Sequence, residues 1–168
     1  MTRRSALAMG LLAVFAATQS SALRADNPSK AVPIAPGDVC HRCERLLSDP
    51  FMGAETVGEP GQGVAKFRTI RCMLAHIRET NPAITEIYVV DAQTGKLVNV
   101  NQAVFVPVQI DIYTGEARYG VGDRDFIAFR SMKAAEHFAA DNGVRTMSWS
   151  AVVFAAASLP ERPLELQR

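Results

Sequence analysis

Phe67 and Phe126 stand 59 positions apart, and at the same offset Arg71 meets Arg130, Met73 meets Met132 and Ala75 meets Ala134. Four identities within nine positions read as one strand–helix unit used twice. That constrains the fold more than composition does, because neither copy can bury its apolar face alone. The first copy reads as a strand over Val64–Phe67 and a helix over 69–79. In that helix Ile70, Met73, Leu74 and Ile77 fall at i, i+3, i+4 and i+7 on one face. Asn81-Pro82 ends it, and a β-rich strand follows over 87–91. Ala92-Gln93-Thr94-Gly95 turns the chain into further strand over 97–108, bounded by Pro107. In the second copy Ser131 caps a helix over 131–140, Asn142-Gly143 closes it, and a strand over 146–154 completes the unit. The expected fold class is α+β: two similar strand–helix–strand units with their helices on a mainly antiparallel sheet.

The ends of the chain read differently. Met1-Thr2-Arg3-Arg4 is cationic, residues 6–17 are apolar, and residues 18–22 are small or polar. That order is a secretory signal over residues 1–25, cleaved after Ala22 or Ala25, and its apolar run is too short to span a bilayer. The stretch Thr2 to Leu7 also loosely resembles a twin-arginine signal. Neither cleavage point offers a cysteine for a lipid. Residues 26–38, with Pro28, Pro33, Pro36 and Gly37, read as a flexible lead-in; residues 39–157 form the domain and 158–168 a tail. Removing the signal leaves about 145 residues, enough for one domain with a core of its own. The expected location is the periplasm. Eighteen basic and seventeen acidic residues give a formal net charge of +1. They are scattered without a basic stripe, so nucleic acid is not a natural partner. Past the signal no apolar segment is long enough for a permanent membrane span in the mature protein.

Three cysteines carry the chemistry: Cys40 and Cys43 as C-x-x-C, and Cys72. In an oxidising compartment an odd number leaves at least one thiol without an intramolecular partner. Cys40-His41-Arg42-Cys43 is followed by Glu44 and not histidine, so it is no haem attachment motif; the proline-rich lead-in before it is no thioredoxin setting. Two sulfurs two residues apart grip one soft ion. Cu(I) takes few soft ligands, whereas Zn(II) wants four in a tetrahedron. Cys72 opens the first helix, where the dipole favours thiolate. Met73 adjoins it but points about 100° away, while His76, at i+4, shares its face. Cys40, Cys43, Cys72 and His76 therefore form a possible Cys3His set. Equally open from the spacing is a Cys40–Cys43 disulfide with Cys72 buried as a small apolar residue.

Other candidates have plain readings. His41 is a loop residue facing solvent, and His137 a surface or packing residue of the second helix. Met52, Met132 and Met147 are core fillers, and Asp123-Arg124-Asp125 a solvated turn. Gly58 to Gly63 has no lysine and no helix after it, so it cradles no phosphate. No serine nucleophile with a base and no paired-carboxylate site is recognisable.

Four stretches together resemble the NosL family, the copper-binding accessory proteins of nitrous-oxide reductase. They are Cys40-His41-Arg42-Cys43 with Asp49-Pro50; Phe67 to Leu74; Tyr88 to Asp91 with Thr94-Gly95 and Ala103 to Val106; and Tyr119-Gly120-Val121-Gly122 running into Ile127 to Phe129, Ala135, Phe138-Ala139 and Gly143. The resemblance implies a fold of two similar α+β units related to the organomercurial lyase. It implies a metallochaperone, without turnover of its own, that holds Cu(I) and passes it to the machinery assembling a copper enzyme, a membrane or periplasmic protein partner. Zinc is the alternative ion. Members usually carry Cys-Gly-Met where this chain has Cys43-Glu44-Arg45, and a second methionine where it has Tyr119. Of the family's copper donors Cys43 carries over, with Cys40 beside it and Cys72, Met73 or His76 to complete the set. Two other classes compete: an interaction domain whose cysteines form a disulfide or zinc clip, and a thiol-based lyase or redox protein, which needs two thiols and a carboxylate on one ion.

Overall fold

The structure is a computed structural model and describes residues 31–35, 37–47, 51–110 and 123–160. The signal over 1–25, Asp49-Pro50, Tyr119 to Gly122 and most of the tail lie outside the described residues.

The chain first makes a hairpin of β1 (Ala54–Gly58) and β2 (Val64–Phe67), paired antiparallel from Ala54–Phe67 to Val57–Val64. Helix α1 (Ile70–Thr80) follows, and β3 (Ile84–Val90) returns antiparallel along the other edge of β1. β4 (Leu97–Asn99) completes a sheet of order β2-β1-β3-β4. A second hairpin joins β5 (Val104–Ile110) to β6 (Asp123–Phe129), ahead of α2 (Met132–Asp141) and α3 (Trp149–Ala157). The class is α+β with antiparallel sheets, as the sequence predicts.

Alternation builds the first sheet. Ala54, Phe67 and Val89 share one rung and are fully buried on the face that α1 covers. On the next rung Glu55, Lys66 and Tyr88 point to the opposite face. Within the stretch read as a lead-in, Val32 N–H donates to Glu55 Oε1 at 2.8 Å and Lys66 Nζ bonds Asp38 Oδ2 at 2.7 Å, so Val32 and Asp38 are tied to that face.

The two copies are real, but their frame differs from the 59-residue identities. Each is a hairpin, a helix on that hairpin, and a return to the hairpin's first strand. Thr69 and Ser131, 62 positions apart, are the two N-caps, each side-chain oxygen accepting from the backbone N–H three residues on. Phe67 and Phe129, also 62 apart, end the equivalent strands. Met132 therefore matches Ile70 rather than Met73 and is exposed, not a core filler. The cap, where free backbone N–H groups need an acceptor, sets the true register.

Three further readings are corrected. The strand over 146–154 is a helix, α3, capped by Ser148 Oγ accepting from Ala151 N–H. Only Met147 pairs as a strand would, exchanging two backbone hydrogen bonds with Phe105 at 2.7 and 3.0 Å. Asp123-Arg124-Asp125 is no solvated turn but the start of β6. Asp125 is fully buried and accepts from the Arg71 and Phe126 N–H groups at 3.1 and 2.9 Å. The stretch 97–108 is broken by a 3-10 turn over Val100–Gln102.

The sheets meet at a seam where Asp91 pairs parallel to Ala128. Ala92 N–H donates to Ala128 carbonyl at 2.8 Å, and Arg130 N–H to Asp91 Oδ1 at 3.2 Å. One apolar core lies around α1 and includes Phe67, Ile70, Met73, Phe105 and all three cysteines; a second lies between α2 and the β5–β6 hairpin.

Candidate metal centre

Asp38 to Leu47 is a tight hairpin ahead of β1. Val39 pairs with Leu46, Cys40 N–H donates to Arg45 carbonyl at 2.8 Å, and Glu44 N–H to Cys40 carbonyl at 2.9 Å. Closing so short a loop puts Glu44 in the left-handed region, at φ 59°. His41 N–H donates to the Lys66 carbonyl at 2.8 Å, which pins the loop to β2 just before α1 begins. Cys72 stands in the first turn of α1, its N–H capped by Thr69 Oγ1 at 3.2 Å.

These placements bring three sulfurs together. The Sγ atoms of Cys40, Cys43 and Cys72 all lie within 4.8 Å of one another, and Cys40 to Cys72 is 3.4 Å. All three are free thiols and buried, at 1, 9 and 7% exposure. Three sulfurs bound to one ion at about 2.3 Å stand about 4 Å apart, so small movements convert this group into a trigonal site.

Electrostatics make the thiols unequal. Cys40 accepts hydrogen bonds from Cys43 and Cys72 and is held far below the ordinary thiol range. Cys43 is pushed up by donating to Cys40, and Cys72 is pushed far up by its bonds to Cys40 and Cys43 and by burial. The bonds among the three thiols favour charge at Cys40, and burial together with those bonds opposes at Cys72 the charge that the helix dipole favours.

His76 does not join the three. Its Nε2 lies 3.4 Å from Thr80 Oγ1, one turn further along α1. Its ring packs edge-on to His41 with centroids 4.9 Å apart, and burial keeps it neutral to lower pH than usual. Met73 is fully buried in the core around α1. His137 is exposed on α2, 3.0 Å from Asp141. Among the described residues no other His, Cys, Asp or Glu group is gathered as the cysteines are.

Sequence reasoning missed Arg42. Its Nε and Nη2 fork onto Glu79 Oε2 and Oε1 at 3.0 and 2.6 Å, and its guanidinium also lies beside Cys72. The fork fastens the C-x-x-C loop to α1 and so holds two thiols against the third. The charge between the cysteines was visible, but its partner 37 residues on was not.

The sequence profile of the NosL family matches residues 31–156. The chain belongs to the NosL family. The crystal structure of the copper chaperone NosL from Shewanella denitrificans superposes with a TM-score of 0.60 at 21% identity, covering 76% of this chain and 98% of that one. At that identity the likeness establishes the NosL fold. No curated protein matches the sequence at a significant level. Among the described residues no helix is long and apolar enough to cross a membrane. Tyr119 lies outside the described residues.

Proposed function

We propose that this NosL-family protein is an exported carrier that holds one Cu(I) between Cys40, Cys43 and Cys72. It passes the ion to the periplasmic or membrane machinery assembling a copper enzyme such as nitrous-oxide reductase. It carries the ion without turning over a substrate. The observation behind this reading is the convergence of three buried thiols from two distant segments. Soft sulfur in low coordination number suits Cu(I), and the apolar wall around the thiols excludes competing water. Zinc is the second candidate, favoured by the same three sulfurs, but it needs a fourth donor and His76 would have to swing away from Thr80 to supply one. The thiols converge without a carboxylate among the described residues, which gives lyase chemistry no acid at this site.

Anaerobic competition against a chromogenic Cu(I) chelator tests the reading. The reduced protein should retain one equivalent. Cys40→Ser, Cys43→Ser and Cys72→Ser should each lose roughly a hundredfold or more in affinity, since a two- or three-coordinate site cannot spare a ligand. His76→Ala should change copper affinity little and abolish zinc binding if zinc is the cargo. Unchanged copper affinity in Cys43→Ser, with the remaining thiols reduced, sinks the carrier reading.

A further inference from the structure

Of the three thiols, Cys72 borders a cavity of about 230 Å³ between α1 and α3, and Cys40 and Cys43 are not among its lining. The walls are apolar side chains of the two helices. Among the described residues the charged members of the lining are Arg42, Arg71 and Arg78; Glu79 balances Arg42, and the charge of Arg71 and Arg78 leaves the slot net positive. Beside the mouth, α3 has the sequence WSAVVFAAA, apolar almost all round. It buries Val152 and Ala156 yet turns Val153, at 42% exposure, and Phe154, at 78%, to solvent. An exposed helix of this kind marks a surface meant to be covered.

We propose, building on the copper-carrier reading, that this slot and the outer face of α3 form the docking site for the protein that exchanges the ion. The occupant is a partner whose thiol or thioether side chain projects from an apolar surface bordered by carboxylates. The apolar walls and Phe154 match its apolar surface, the arginines match its acidic border, and the slot has room for one side chain reaching Cys72. Transfer then starts at Cys72. The incoming sulfur donates a lone pair to Cu(I) as the Cu–S bond to Cys72 breaks, and the released thiolate takes a proton, from the incoming thiol as that thiol binds or, when a thioether binds, from solvent. Copper stays Cu(I) throughout. Cys40 and Cys43, which do not line the slot, let go last.

The test uses the copper-loaded full chain and three labelled synthetic peptides: methionine flanked by leucines and aspartates, the same peptide with lysines for aspartates, and the aspartate peptide with norleucine for methionine. Fluorescence anisotropy should show the acidic methionine peptide binding at least tenfold more tightly than either other. Phe154→Ser should weaken that binding about tenfold, and Arg78→Glu should remove the preference for the acidic peptide. Chelator competition should give both variants the parent's copper affinity. Equal binding of the three peptides, or unchanged binding in Phe154→Ser, overturns the proposal. So does a concentration-dependent dimer lost in Phe154→Ser, which gives the face to a second copy. Tighter peptide binding after removal of residues 161–168 gives the slot to the chain's own tail and overturns the proposal as well. A parent protein that holds no Cu(I) against the chelator overturns the carrier reading itself, and this proposal with it.

Discussion

Glu44 pays for the closure of the cysteine loop with a left-handed backbone, at φ 59°. A side chain there costs about 1–2 kcal/mol that glycine avoids, while glycine gives back part of it in unfolded-chain entropy. Glu44→Gly should therefore raise stability by about 0.5–1 kcal/mol in urea unfolding of the metal-free protein. Glu55 is a second strained residue, of another kind. It is fully buried in β1, and its Oε2 has no partner among the described residues. Burial lifts its carboxyl to about 6; the Val32 N–H and Lys66 oppose the rise and Asp38 adds to it. With its folded value above its unfolded one, Glu55 contributes no penalty below about pH 4.5. Stability is then lost as pH rises to about 6 and stays lost above it. Glu55→Gln should be more stable than the parent at pH 7 by up to about 2 kcal/mol, with the gap closing by pH 4.5 in paired denaturant curves. At this scale the sequence was only partly legible. Cys40, Cys43 and Cys72 stood out by chemistry and spacing, but their meeting depends on Lys66 and Glu79 receiving the loop, which no local pattern encodes. His76 shared a helix face with Cys72 as expected, yet one turn of α1 carries its ring to Thr80 and His41.

Helix α1 shows why some elements could be read and others could not. Its apolar positions repeat with the helical period, Thr69 caps it, and Asn81, at φ 44° before Pro82, stops it. All three signals agree, and the expected helix is right to within a residue at each end. Helix α3 offers no period, because apolar residues occupy nearly every position, and Val152-Val153-Phe154 favours a strand locally. Ser148, which caps it, was the usable signal. Strand β1 escaped notice because its alternation is masked by a buried glutamate. The Arg42–Glu79 fork is the tie between elements that matters for the site. Glu79→Gln should weaken Cu(I) binding about tenfold, roughly 1.4 kcal/mol, by loosening the loop from α1 while leaving every thiol in place. Chelator competition beside the cysteine variants would rank it between parent and Cys43→Ser; equal affinity to the parent would mean the fork is only a surface ion pair.

Across the whole molecule, the copies lean on each other. Asp125 in β6 receives the Arg71 N–H at the start of α1, and Arg71 in turn donates to the carbonyls of Arg124 and Pro160. The first copy carries the thiols, and the second supplies much of the wall behind them through Phe105, Phe126 and Val152. Asp125→Ala strands buried N–H donors and should cost about 2–3 kcal/mol. It should lower the unfolding midpoint seen by Trp149 fluorescence, from the second copy, and by cysteine labelling, from the first, by equal amounts. Separate midpoints would show two folding units. The identities 59 apart are out of step with the 62-residue frame that the two caps set, so what the sequence carried of the duplication was the repeated strand–helix order and not those residues.

The seam at Asp91 and Ala128 also sets a clock. Its two cross-copy donors, the amides of Ala92 and Arg130, are covered only while the sheets stay joined. The amides paired within β1 and β3 are covered for as long as their own sheet survives. In deuterated water the order in which these signals fade would record the order in which the molecule opens. Simultaneous loss means that the copies part and melt as one event. Early loss at Ala92 and Arg130 means that the twins come apart while each still remembers its shape.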